Sequence, residues 1–163
     1  FRRVLFRSSH SPRKVAVVGA GLVGIEAAAA LVEAGVKVTL IEAQDQILPN
    51  VLDKKPAQIL ENILVEHGLE VITGEMVKEI LTSRGKINGL VIGKGKLECD
   101  TLIMAAGVIP DTDLARRSGI EIGALGAIRV DAAMRTSVSN VLACGDCAES
   151  YDLLLKKTML HPL

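Results

Sequence analysis

Residues 14–42, KVAVVGAGLVGIEAAAALVEAGVKVTLIE, constrain the fold more than any other stretch. Lys14–Gly19 is a short apolar, β-branched run of the kind needed by a strand buried on both faces. Leu22–Ala34 is rich in Ala, Leu and Glu, and Gly35 stands where a helix C′ residue takes a positive φ. Val36–Glu42 is a second strand-like run. Strand, helix and strand in this order form a βαβ unit with parallel strands and a right-handed crossover. A hydropathy window alone would offer residues 15–35 as a membrane span. Glu26 and Glu33 interrupt that reading, and glycines at 19, 21 and 24 suit a turn better.

Gly19-Ala20-Gly21-Leu22-Val23-Gly24 is GxGxxG, placed between the predicted strand and the predicted helix. Glu42 ends the second strand 18 positions after Gly24. That context is what a dinucleotide-binding turn requires. Its glycines give a tight turn, close approach of a pyrophosphate, and close helix–strand packing. The helix N-terminus offers free N–H groups and a positive dipole end to the phosphates. A carboxylate at 42 can accept both hydroxyls of an adenosine ribose and would repel a 2′-phosphate. No Arg or Lys occurs between Glu42 and Lys54, so NAD(H) is expected over NADP(H). The competing readings are a glycine-rich turn with no ligand and a solvated glutamate at a strand end.

Further along, Asp53 is a candidate N-cap, with Pro56 in the first turn of a second helix and Gly68 closing it. Ile59, Leu60, Ile63 and Leu64 are expected on its buried face. Leu69–Thr73 is another strand. Val77–Thr82, Lys86–Ile92 and Lys96–Cys99 predict an antiparallel meander, and Thr101–Ala106 a fully buried strand. After Pro110 the elements shorten: a helical turn at Leu114–Ser118, and brief strands at Ile120–Ile122, Ala127–Val130 and Val141–Ala143. The expected class is α/β, a Rossmann-like domain over residues 13–110 with a parallel sheet and an antiparallel meander on one side. Residues 111–163 are expected to hold too few elements to close a core of their own. Residues 1–12 are set apart. Arg3–Ser8 resembles the translation of a sequencing-adapter oligonucleotide, although the Arg- and Ser-rich, acid-free segment also has the composition of a transit peptide.

The chain carries 19 basic and 19 acidic residues and only 2% aromatics. Neither an electrostatic attraction to nucleic acid nor stacking platforms for bases are provided. Three cysteines do not make a disulfide framework, which points to a reducing, cytoplasmic setting. Cys144 and Cys147 form a CxxC around Gly145-Asp146. Zinc would need two further ligands, and His10, His67 and His161 show no matching spacing. A thioredoxin-like centre would need the CxxC to open a helix after a strand, and the preceding TSVSNVLA argues against that.

The segments GAGLVGIEAAAALVEAGVKVTLIEAQDQILP, AAGVIPDTDLA and MRTSVSNVLACGDCAE together resemble the pyridine nucleotide-disulfide oxidoreductases. These are flavoproteins in which an NAD(P)H domain is inserted into an FAD domain. The resemblance covers about residues 14–163, and ILPNVLD and GDCAES bring it nearest the NADH oxidase and coenzyme A-disulfide reductase branch. It implies that Gly19, Gly21, Leu22, Val23 and Gly24 hold the NADH pyrophosphate and Glu42 the ribose. It places Glu26 near the nicotinamide and flavin, and the backbone of Val77 beside the adenine. Gly107 marks the crossing back to the FAD domain, where Gly145 and Asp146 would meet the ribityl chain of FAD. On this reading Cys144 and Cys147 are bystanders, Cys144 ending a buried strand, and Cys99 is a small core residue of the meander. Ala106 and Asp111 stand where the family usually has Thr and Asn. Neither change removes a backbone contact.

The resemblance implies an enzyme, an FAD-dependent NAD(P)H oxidoreductase passing hydride from NADH to flavin and on to a disulfide, oxygen or another acceptor. It also implies a homodimeric parent, joined through a C-terminal domain outside these 163 residues. The family's FAD fingerprint and redox-active cysteine are not in this sequence. The chain is therefore expected to be a fragment, inactive alone, with no catalytic residue of its own. The alternatives are a stand-alone NADH-binding module without turnover and a reductase component serving a ferredoxin-like carrier.

Overall fold

The strand β1 (Lys14–Val18) lies inside a four-stranded parallel sheet. Its alternate side chains are buried on opposite faces, which accounts for its unbroken apolar sequence. In the computed structural model, which describes residues 13–154 and 156–160, β1 leads into α1 (Leu22–Glu33) and then β2 (Lys37–Ile41). Next come α2 (Lys54–Glu66), β3 (Glu70–Ile72), an antiparallel meander of β4 (Glu79–Ser83), β5 (Lys86–Ile92) and β6 (Gly95–Leu97), and β7 (Thr101–Met104). The parallel order is β3-β2-β1-β7. The chain thus steps from β1 to one side, then returns to the other.

The two faces of this sheet are covered differently. Val15, Val17, Val38 and Leu40 pack with Ala28 and Leu31 of α1, Ala57 of α2, and Ile47. Ala16 and Ile41 face the other way, onto Leu90 and Ile92 of the meander and Cys99. Each fully buried Val or Leu contributes about 1.5–3 kcal/mol of transfer free energy. The expected α/β class is therefore what forms, with helices on one face and the meander on the other.

The structure departs from the sequence pattern at three places. In α2, Leu60 and Leu64 pack on the core, but Ile59 and Ile63 are 60% and 45% exposed. Ala57 is the fully buried position. The helix turns 100° per residue, so a stripe through 57, 60 and 64 leaves 59 and 63 on its flank. The strand β7 is not fully buried: it is an edge strand, and Met104 is 62% exposed. The meander's third strand stops at Leu97, so Cys99 is buried in the segment after it.

The fold divides after Gly107 into two compact units. The second contains α3 (Asp113–Arg117), β8 (Ile128–Arg129), a 3₁₀ turn at Gly145–Cys147, β9 (Ala148–Asp152) and β10 (Lys157–Leu160). The expected strands at 120–122 and 141–143 reduce to single bridges, Ile122 with Ile128 and Leu142 with Arg135. β9 pairs in parallel with β8 and antiparallel with β10, a sheet the sequence reading did not anticipate. Glu149 on β9 is buried and accepts the amide of Leu125. Residues 1–12, His10 and His161 lie outside the described residues.

Candidate nucleotide-binding site

All four parallel strands end on one side of the sheet. The segments that follow them carry most of the residues singled out from sequence. Gly19 follows β1 with φ +101°, and Gly21 is the N-cap of α1. A side chain at Gly24 would run into the carbonyl oxygen of Gly19, and one at Gly19 into the carbonyl of Ala105 after β7. Position 21 is different, because no atom lies within 4 Å of where a Cβ would stand. Two glycines thus serve close packing, and the third leaves open space against the backbone. The first turn of α1 has neither a side-chain cap nor an acidic residue, so its free N–H groups and dipole face outward uncompensated. Leu22 and Val23 are exposed in that turn, at 46% and 67%.

Glu42 is not the solvated strand-end residue of the competing reading. It is 9% exposed. The amide of Ala20 donates to its Oε2 at 2.7 Å, and the amide of Gln44 to its Oε1 at 2.9 Å. A carboxylate has about four lone-pair sites, so two remain for a ligand. The carbonyl of Ala20 in turn accepts the amide of Leu48 at 2.9 Å. Ala20 is therefore the junction of the glycine-rich turn with the loop after β2. Sequence reasoning missed this role, for which the only signal is position, the residue between the first two fingerprint glycines.

The remaining residues fall into place unequally. The amide of Glu75 donates to the carbonyl of Glu42 at 3.0 Å, which brings the segment carrying Val77 alongside. Val77 is half-buried against the meander-side core. Gly107, with φ +103°, is exposed just beyond the Ala105 carbonyl that backs Gly19. Glu26 is exposed on α1. Gly145 and Asp146 belong to the second unit, where Gly145 has φ +77° and opens the 3₁₀ turn. Cys144 does not end a buried strand: it is exposed and caps that turn, and the Cys147 thiol donates to its carbonyl at 3.3 Å. The run Val141–Cys144 is apolar but pairs only through the single bridge of Leu142 with Arg135, and Leu142 is itself exposed. Among the described residues no three or more His, Cys, Asp or Glu side chains are grouped to hold a metal ion. No helix among them is long and apolar enough to cross a membrane.

Charge around Glu42 is organised by two ion pairs. Lys54 Nζ lies 2.7 Å from Asp45 Oδ2, both largely exposed. Their mutual hydrogen bond, then their mutual Coulomb attraction, lowers the Asp45 pKa and raises that of Lys54. Lys94 Nζ lies 3.9 Å from Oε1 of Glu75, whose side chain is only 12% exposed. Nothing in the spacing of Asp45 and Lys54 marks them as a pair in the sequence.

A family model described as pyridine nucleotide-disulphide oxidoreductase matches residues 3–159. An NADH oxidase of Methanocaldococcus jannaschii is 36% identical over 150 residues, 92% of this chain and 33% of the relative. A NAD-dependent persulfide reductase from A. fulgidus superposes with a TM-score of 0.87 at 38% identity, covering 93% of this chain and 28% of that one. An engineered water-forming NADPH oxidase, a five-site mutant of the Lactobacillus brevis NADH oxidase, was solved with NADPH bound. It superposes with a TM-score of 0.82 at 28% identity, over 93% of this chain and 33% of that one. The chain spans about a third of the length of the curated relatives it matches.

Proposed function

Because the chain belongs to the pyridine nucleotide-disulphide oxidoreductase family, we propose that its first unit binds NADH, in preference to NADPH, as the nucleotide-binding part of an FAD-dependent oxidoreductase. The observation that carries this reading is the Glu42 carboxylate, fixed by two backbone amides beside an uncapped helix N-terminus. In this reading Gly21 admits the pyrophosphate, the amides of Leu22, Val23 and Gly24 donate to it, and Glu42 accepts the ribose hydroxyls with its free lone pairs. Glu26 and Gly107 flank the nicotinamide end, and the Val77 backbone the adenine. The nicotinamide, when bound, supplies hydride to a flavin, and the acceptor beyond is a disulfide, oxygen or persulfide. Residues 108–163 then contribute to the flavin side, where Gly145, with its left-handed backbone, and Asp146 meet the ribityl chain.

The preference for NADH has support from intervals. In the NADPH-using variant, a glycine is replaced, then an aspartate 18 residues on, then residues 19, 20 and 25 beyond that glycine. Two of those replacements introduce arginine. Gly24, Glu42, Ala43, Gln44 and Pro49 stand at the same intervals here, and none is basic. The site thus carries the acid and lacks the cations.

Amide NMR of the 163-residue chain tests the location. Adding NADH is expected to shift residues 20–25, 42–44 and 75–77. Lys14, Lys37 and Lys96 line a polar depression at the opposite ends of the strands and should stay still. Shifts confined to that depression would contradict the assignment.

A further inference from the structure

Lys54 is the first cation after Glu42 in the chain, and it is already engaged. Its ammonium sits 2.7 Å from the carboxylate of Asp45, three residues beyond Glu42. Asp45 lies between Ala43 and Pro49, the two positions at which the NADPH-using relative carries introduced arginines. Positive charge on both sides of this position accompanies use of a 2′-phosphate, and this chain places a negative charge in the middle. Lys55 offers no substitute, since it lies 100° further round α2. The second neighbouring lysine, Lys94, is likewise turned to an acid, Glu75.

We propose that Asp45 is a specificity-determining residue, which repels a 2′-phosphate directly and withholds the Lys54 ammonium that would otherwise meet it. The inference rests on the assignment of Glu42 to the ribose. Coulomb interaction explains why one side chain can act twice. Removing Asp45 deletes a negative charge near the phosphate and at the same time releases a positive one. Lys54 is the first residue of α2 and carries its ammonium on a flexible four-carbon stem, free to turn once Asp45 no longer holds it. The pair is exposed, with side chains 75% and 71% accessible, so the ion pair itself contributes little to the stability of the fold.

The test is the ratio of NADPH to NADH dissociation constants, measured by calorimetry on the full chain at low salt. Asp45→Asn is expected to lower that ratio about tenfold, an effect that shrinks at 0.5 M salt as the Debye length falls. Lys54→Ala alone bares the Asp45 carboxylate and should not lower the ratio, and adding it to Asp45→Asn should reverse most of the gain. An unchanged ratio in Asp45→Asn would overturn the proposal. So would a gain that persists undiminished in the double variant, because Lys54 would then play no part. If the parent chain binds no NADH at all, the ribose assignment itself fails, which is a separate outcome.

Discussion

The amide of Ala20 donates a 2.7 Å hydrogen bond to Oε2 of Glu42, so the residue assigned to the ribose also holds the glycine-rich turn in place. Ala20 is fully buried. Glu42→Ala would leave that amide without its acceptor, at a cost of about 1–3 kcal/mol. Urea unfolding should therefore show a lower midpoint for Glu42→Ala. Glu42→Gln keeps an acceptor oxygen and should recover most of the loss. A Glu42→Ala midpoint equal to the parent's would mean that the turn does not depend on this bond.

Gly21 and Gly24 separate function from folding. Gly24→Ala forces a methyl into the Gly19 carbonyl and must push α1 off β1. Overpacking of this kind costs about 1–3 kcal/mol, visible as a lowered unfolding midpoint. Gly21→Ala meets nothing within 4 Å, and its φ of −75° suits any residue. Its stability cost should be about 1 kcal/mol or less, while NADH affinity falls at least tenfold because the methyl occupies the pyrophosphate's approach. Equal NADH affinity in Gly21→Ala and the parent would remove the turn from the site.

The three thiols should differ in reactivity. Burial, with a smaller contribution from Asp100, raises the Cys99 pKa, whereas Cys144 is exposed. A thiol reagent at pH 8 should label Cys144 quickly and Cys99 only on unfolding. Mass spectrometry after timed quenching distinguishes them. Rapid native labelling of Cys99 would contradict its place in the core.

Asp100 predicts part of the acid sensitivity. Burial pushes its pKa up, but the amides of Arg13 and Lys14 and the hydroxyl of Thr101 donate to it and hold it below the ordinary value. A depressed carboxylate stabilises the fold above its unfolded pKa near 4, and that contribution is lost as pH falls through the lower folded value. Unfolding midpoints measured from pH 7 to pH 3 should therefore fall more steeply for the parent than for Asp100→Asn. Parallel curves would show that this cluster contributes nothing.

Much of the first unit was legible because its signals are local. The β-branched apolar run 14–19, the Ala- and Leu-rich stretch ending before Gly35 and the apolar run closing 86–92 are each marked by neighbouring residues. The dual role of Glu42 was hidden because its partner, Ala20, is a backbone amide brought near only by the parallel pairing of β1 and β2. Ile59 and Ile63 misled because two adjacent apolar stripes run along α2 and only tertiary packing selects one. The strands AESYD and KTML have no clean alternation, so their pairing as β9 and β10 depends on contacts that composition does not show. Asp45 and Lys54 carried no pattern at all; only the folded loop joins them.

Calorimetric titration with NADH and NADPH measures whether Glu42 selects and holds NADH. The parent chain should bind NADH more tightly than NADPH. Glu42→Ala, at a temperature where its fold is intact by circular dichroism, should lose charge-assisted hydrogen bonds of about 1.5–3 kcal/mol, weakening NADH binding roughly ten- to a hundredfold. Equal affinities for the two nucleotides, or an NADH affinity unmoved by the substitution, would take Glu42 out of the ribose site.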